Sequence, residues 1–408
     1  MKKFNGTYKW LAGYQGFLLL VFIIAVVLSG CSVIAKTYGL NAVWDLWNIP
    51  IMQPVFADLL NLTGGYETIL SGQDPLYKNP FDPWGRPMNH PRIVQYIMTW
   101  IGIGREGNFG LGIFVNCAFL AGVLLAFRKI DKKTAIILTL VLFSPAVVLG
   151  IERGNHDLFI FFLVSLVAMS SRYRIASIPL LLCASFIKLF PIFGSIYLLR
   201  FKSSHFWFSF VGILTVFILY LFYNQDDLGQ IFSSTQKGGS LSYGYNVIIT
   251  NLDPKHLSRS RLYSFVPAMA IIILTSAYYF GLKDRPRLAG QAFNEHIDMF
   301  RLGSAIYIGT FLLGNSWDYR LMYLLFTVPQ LVQWATGRQL RLIAVLTIIG
   351  IIASCWITIF NRGSHMIFFV DELSNYIIFS TLIYLLLASI PDWFYMQLQL
   401  LNSNKKNN

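Results

Sequence analysis

Apolar runs of bilayer-spanning length recur from one end of this 408-residue chain to the other, separated by short polar or basic stretches. A hydrocarbon core ~30 Å thick needs about 17–25 helical residues. The pattern therefore predicts an all-α polytopic transmembrane protein with about ten full spans, near 11–35, 107–127, 134–151, 158–171, 206–223, 262–282, 301–314, 319–336, 341–360 and 374–390. No composition shift marks a separate soluble module, so residues 1–408 read as one integral-membrane domain.

Charge fixes the expected threading. Lys2-Lys3, Arg128 to Lys133, Arg172-Tyr173-Arg174, Arg200-Phe201-Lys202, Lys283 to Arg287, Arg338 to Arg341 and Lys405-Lys406 flank apolar runs, as cytoplasmic loops do. Residues 1–10 and 391–408 are then cytoplasmic, and 36–106 form a long first extracytoplasmic loop. The segment 175–199 is basic at both ends. It reads either as a re-entrant pair of half-helices meeting near Ile187 to Pro191, or as one tilted span that reverses everything downstream. With the hairpin, the polar interruptions all emerge on the outer side: Glu152 to Asp157, Lys188, Asn315 to Arg320, and Asn361 to His365.

Glu152-Arg153-Gly154-Asn155-His156-Asp157 stands out among them, because ionisable groups at membrane depth are costly unless they face a wet cavity, a partner or a ligand. Composition narrows the class further. The chain is 55% hydrophobic and 12% charged, about half the charge of a soluble enzyme. Its net charge of +13 lies in the loop clusters and not on a nucleic-acid surface, and no Gly-rich phosphate loop followed by Lys-Ser/Thr suggests ATP use. Cys31, Cys117, Cys183 and Cys355 sit singly in apolar runs, which argues against disulfides or zinc. Leu28-Ser29-Gly30-Cys31 has the form of a lipoprotein cleavage box, but the apolar run continues past it, as a retained first span does. Asn61-Leu62-Thr63 is a glycosylation sequon, with meaning only in a eukaryotic secretory setting.

In the first outer loop, Val55 to Leu70 reads as amphipathic, with Asp58 near its start, and Gly72 to Tyr77 as a turn. Asp58 is placed either to act as a general base or to cap an interfacial helix. Asp74, before a proline, is a structural turn residue or a contact to acceptor or sugar. His90, His156 and His365 have no metal-ligand spacing, so hydrogen bonding to sugar or phosphate is expected of them and no metal or cofactor is called for.

The ordered set Asp58, Gly72-x-Asp74-Pro75-x-Tyr77, Glu152-Arg153-Gly154-Asn155, Phe186 to Pro191 with Lys188, and Trp317-Asp318-Tyr319-Arg320 resembles glycosyltransferase family 87 over roughly residues 50–330. These are integral-membrane enzymes of the GT-C type. The family often has Gly-Gln where this chain has Gly154-Asn155. The resemblance implies transfer of a sugar, a hexose such as mannose, from a polyprenyl-phosphate donor to a lipid-linked or envelope glycan acceptor. It implies inverting displacement with Asp58 as base and with Arg153, Lys188 and Arg320 on the donor phosphate. Such fixed cations suit phosphate, and they stabilise the charge that develops as the glycosidic bond breaks.

Asp74, Tyr77, Asn155, His156, Asp318 and His365 are expected to support the site or touch sugar. Glu152 neutralises a neighbouring cation or joins them, and Trp317 and Tyr319 stack on sugar or sit in an aromatic belt. The expected location is the plasma (inner) membrane, with the site facing periplasm or exterior and the bilayer, donor and acceptor as partners, and no nucleic acid. A transporter or flippase of lipid-linked saccharide is the competing class, although the matched polar interruptions of an internal repeat are missing. An envelope ligase or polymerase would favour a large late outer loop, and 226–261 is only moderate.

Overall fold

The computed structural model describes residues 14–170, 174–236, 238–252, 259–285, 295–338, 340–360 and 364–404. The chain begins with α1 (Gln15–Tyr38), α2 (Leu40–Asp45), α3 (Leu60–Leu70) and α4 (Arg92–Ile101). Then come α5 (Asn108–Ala126), α6 (Lys132–Leu142), α7 (Pro145–Arg153), α8 (Asp157–Met169) and α9 (Ser177–Ile187). A 3-10 stretch, Phe190–Arg200, leads to α10 (Ser203–Tyr223), α11 (Gln225–Ser234), α12 (Val247–Leu252), α13 (Arg259–Asp284) and α14 (Glu295–Leu312). A second 3-10 stretch, Asp318–Thr327, precedes α15 (Val328–Thr336), α16 (Arg341–Trp356), α17 (His365–Ala388) and α18 (Asp392–Asn404). The all-α expectation holds, apart from a two-residue antiparallel ladder of β1 (Ser242–Tyr243) with β2 (Ser316–Trp317).

The expected count of ten spans does not. Among the described residues, six helices are long and apolar enough to cross a membrane, in or overlapping α1, α5, α10, α13, α16 and α17. A seventh span is obtained if α6 and α7, bent by 55° at their junction, count as one. Hydropathy overcounts because several apolar runs are core and not wall. α8 has 13 residues, so it extends about 20 Å at ~1.5 Å per residue, short of the ~30 Å core. The run expected at 319–336 is a 3-10 stretch whose Leu321 to Phe326 are fully buried, followed by a separate short helix.

Prolines place the breaks. Pro145, Pro191 and Pro329 each lack the N–H that a continuous helix requires, and each ring would crowd the carbonyl four residues back. Lys188 follows the last residue of α9 in extended conformation, φ −143° and ψ 128°, so the segment 175–199 is a broken helix with its charge at the break. The first loop, 36–106, is folded over α2, α3 and α4. α5 packs along α8, and α14 packs against both 3-10 stretches, which puts the short elements at the centre of the bundle. Lys2, Lys3, the 1–10 segment, Arg172, Arg287, Asn361 to Gly363, Lys405 and Lys406 lie outside the described residues, as does the side chain of His365.

Candidate functional site

The hexapeptide closes α7 with a Schellman turn. Gly154, at φ +58°, donates to Ile151 O at 3.1 Å, and Asn155 N donates to Gly150 O at 2.9 Å. This turn has two consequences for Asp58. Arg153 O, left outside the helical ladder, accepts the Asp58 N–H at 3.1 Å. Asn155 Oδ1 accepts the Asp157 N–H at 2.9 Å, which aims Asn155 Nδ2 at Asp58 Oδ2, 2.6 Å away. Asp58 is thus gripped through backbone and side chain by a segment nearly a hundred residues downstream. It caps no helix, and its side chain remains 22% exposed.

Its second partner was not singled out in the sequence. Arg86 Nη1 lies 3.4 Å from Asp58 Oδ1, while Arg86 Nη2 donates to Ala57 O at 2.7 Å and to Asp82 Oδ1 at 2.8 Å. Buried Asp82 also accepts the N–H groups of Trp84 and Arg86, so the guanidinium is held rigidly over the Trp84 ring, 4.6 Å from its centroid. Inside a polar loop, an Asp-x-x-x-Arg pair carries no signal in sequence.

Loop 1 is seated by an aromatic wedge. Phe56, at φ +59°, lies between Gly112 of α5 and Gly154; a Cβ at Gly112 would fall 2.0 Å from the ring, and one at Gly154 2.8 Å from Phe56 Cβ.

A cationic wall joins the same cavity as Asp58 through His156, Lys188 and Arg320. Asp157, fully buried, accepts from Arg320 Nε at 2.8 Å and lies 3.5 Å from Lys188 Nζ. Lys188, which has donors only, gives a hydrogen bond to His156 Nε2 at 3.0 Å, so the imidazole proton sits on Nδ1. Arg320 lies over the Phe190 ring, 4.9 Å from its centroid, and reaches Ser316 Oγ at 3.4 Å. The His90 and His156 rings are 4.3 Å apart. Burial, and then the nearby Lys188 and His156, hold the His90 imidazole well below the usual histidine range, so it is neutral. Two cations face one carboxylate here, leaving one positive charge over.

All of these groups except the buried Asp157 line one cavity of about 410 Å³, within the range of small-molecule sites. It brings together Asp58, Arg153, Asn155, His156, Lys188, Trp317, Tyr319 and Arg320 from four separated segments, with Arg86 and His90 added. Arg153 lines it but is engaged: Nε pairs with Glu152 at 2.9 Å and Nη2 donates to Pro50 O at 3.1 Å, with Met52 Sδ also in contact. Glu152 accepts the Met52 N–H at 2.9 Å, so this pair fastens 50–52 to α7. Trp317 stacks near-parallel on Tyr319, with centroids 6.1 Å apart, and Nε1 donates to Gln236 O at 3.1 Å.

Four expected residues with described side chains are not among those lining the cavity, one of them Glu152, which is taken up by Arg153 and the Met52 N–H. Asp74 accepts from Arg92 Nη2 at 2.9 Å and from the Leu76 N–H at 3.0 Å. Tyr77 is exposed outside the cavity, and Asp318 is buried behind its wall. Among the described residues no His, Cys, Asp and Glu group is arranged to hold a metal ion.

Fold and site together define a helical membrane protein with a charged cavity. No protein-family model, curated protein or solved structure matches the chain.

Proposed function

We propose that this protein is an inverting membrane glycosyltransferase of the kind its motifs resemble, moving a hexose such as mannose from a polyprenyl-phosphate donor to a hydroxyl of a lipid-linked or envelope glycan. One observation carries the reading. A carboxylate oriented by Asn155 and Arg86 shares a cavity with Lys188 and Arg320, whose single excess positive charge matches a phosphodiester.

In this mechanism the acceptor oxygen attacks the anomeric carbon, and the bond from that carbon to the phosphate oxygen breaks. The hydroxyl proton passes to Asp58. The electron pair leaves with the phosphate, where Lys188 and Arg320 stabilise it more strongly than in the ground state. Phosphate is a good leaving group, so no general acid is required. The plasma membrane as location and the extracytoplasmic face for the cavity belong to the same proposal, with the basic clusters beside apolar runs as their support.

The test is transfer of labelled hexose from a synthetic short-chain prenyl-phosphate donor by purified protein. Asp58→Asn is expected to lower kcat by roughly 10²–10⁴-fold with little change in donor KM. Arg320→Gln is expected to raise donor KM. Full activity in the Asp58 variant removes it as base. The broken helix at Lys188 also suits translocation of a lipid-linked saccharide, and lipid flipping in proteoliposomes without transfer would establish that class instead.

A further inference from the structure

The Gly72 to Tyr77 motif, unused by the chemistry above, has a mechanical partner. Arg92 grips Asp227 of α11 with two bonds, Nε to Oδ2 at 2.6 Å and Nη2 to Oδ1 at 2.8 Å, while Asp74 holds the same guanidinium at 2.9 Å. Gln230 Nε2 donates to Leu76 O at 3.1 Å, so the motif supports α11 by backbone as well as by charge. At the far end, Gln236 O accepts from Trp317 Nε1 at 3.1 Å. Residues 225–236 are therefore stretched between the loop that carries Asp58 and the turn that carries Arg320.

Ile231, Phe232, Ser234, Thr235 and Gln236 from this segment line the cavity. From Leu228 to Gln236 there is no ionisable side chain, in contrast to the paired cations Lys188 and Arg320 that also line the cavity. Hydroxyls and an amide beside two apolar faces match the alternating OH and CH surfaces of an uncharged sugar, and they bring no positive charge to a phosphate. A bound phosphate at Lys188 and Arg320 leaves the space beside the Asp58 loop for the attacking hydroxyl.

We propose that residues 225–236 form the wall of the acceptor subsite, which takes a neutral saccharide, and that Arg92, Asp227 and Asp74 are positioning residues that hold this wall. This rests on the transferase reading. The two are separated by measuring transfer and binding in parallel, with a synthetic prenyl-phosphate hexose as donor and methyl α-mannoside or methyl α-glucoside as acceptor probe.

Arg92→Gln and Asp227→Asn should each raise acceptor KM at least tenfold while donor KM stays within twofold, and Arg92→Lys should recover part of the loss. Donor hydrolysis, in which water replaces the acceptor, should be unchanged. Equal rises in both KM values, or in neither, overturn the proposal. Absence of transfer by the wild type, with Arg92-dependent binding of a methyl hexoside retained, overturns the transferase reading and supports the subsite. Failure of both hexosides to bind the wild type overturns the subsite.

Discussion

Asp157→Asn separates the electrostatics of the site from its shape, because the amide keeps the carboxylate's outline and removes one charge. In the wild type that charge lies 2.8 Å from Arg320 Nε and 3.5 Å from Lys188 Nζ, with Asp157 itself fully buried. Removing one partner of a buried pair costs about 3–5 kcal/mol, since the remaining charges keep their desolvation penalty. An unfolding entropy of ~2.1 cal/mol/K per residue over 408 residues turns this into a melting point lower by about 4–6 °C. The same substitution raises the excess charge on this wall from one to two. One further unit charge about 4 Å from an anion contributes up to ~4 kcal/mol at an effective dielectric of ~20, so a bound phosphate ester should stabilise the variant more than the wild type. The assay is thermal unfolding in detergent micelles with and without phenyl phosphate. A variant that melts within 1 °C of wild type (about 1 kcal/mol), or that gains no more from the ester, refutes the account of this wall as an under-compensated cation pair.

Gly154→Ala places a side chain on a φ of +58° and a Cβ 2.8 Å from Phe56, so a loss of about 1–3 kcal/mol is expected in the melting curve, with displacement of Asp58 lowering turnover. His90 has a folded-state pKa below its unfolded value, so the unfolded chain takes up its proton first as pH falls through about 6.5; stability declines from there, down to the folded pKa. His90→Asn should flatten this decline in melting points recorded from pH 7.5 to 5, and an unchanged slope would count against a neutral buried imidazole.

Asp58, Lys188, Arg320 and the hexapeptide were legible in the sequence because each interrupts or abuts an apolar run, where polarity is costly and so carries information. Arg86 lies in a polar loop and the 225–236 wall in a short polar helix and its end, where one more arginine or serine is unremarkable, and only the fold brings them to the cavity. Arg153 shows the limit of charge alone: its sequence position suits a phosphate ligand, but the bonds to Glu152 and Pro50 O make it a fastener. The span count failed because hydropathy records dislike of water, which a helix buried among helices shares with one facing lipid. α8 and the Asp318–Thr327 stretch are of the first kind.

The Phe56 wedge constrains the order in which this chain can change. Its ring occupies space left by two missing side chains, at Gly112 and Gly154, in elements remote from it in sequence. An alanine at Gly112 has no room while the phenyl ring is present, whereas the same alanine becomes admissible once Phe56 has been replaced by a smaller residue. The accessible mutational path is therefore ring first, glycine second, and the reverse order passes through a displaced Asp58. Permissiveness at Gly112 is a property of the background it is tested in, so a substitution scan on the wild type would record as forbidden a position that a single prior step makes free.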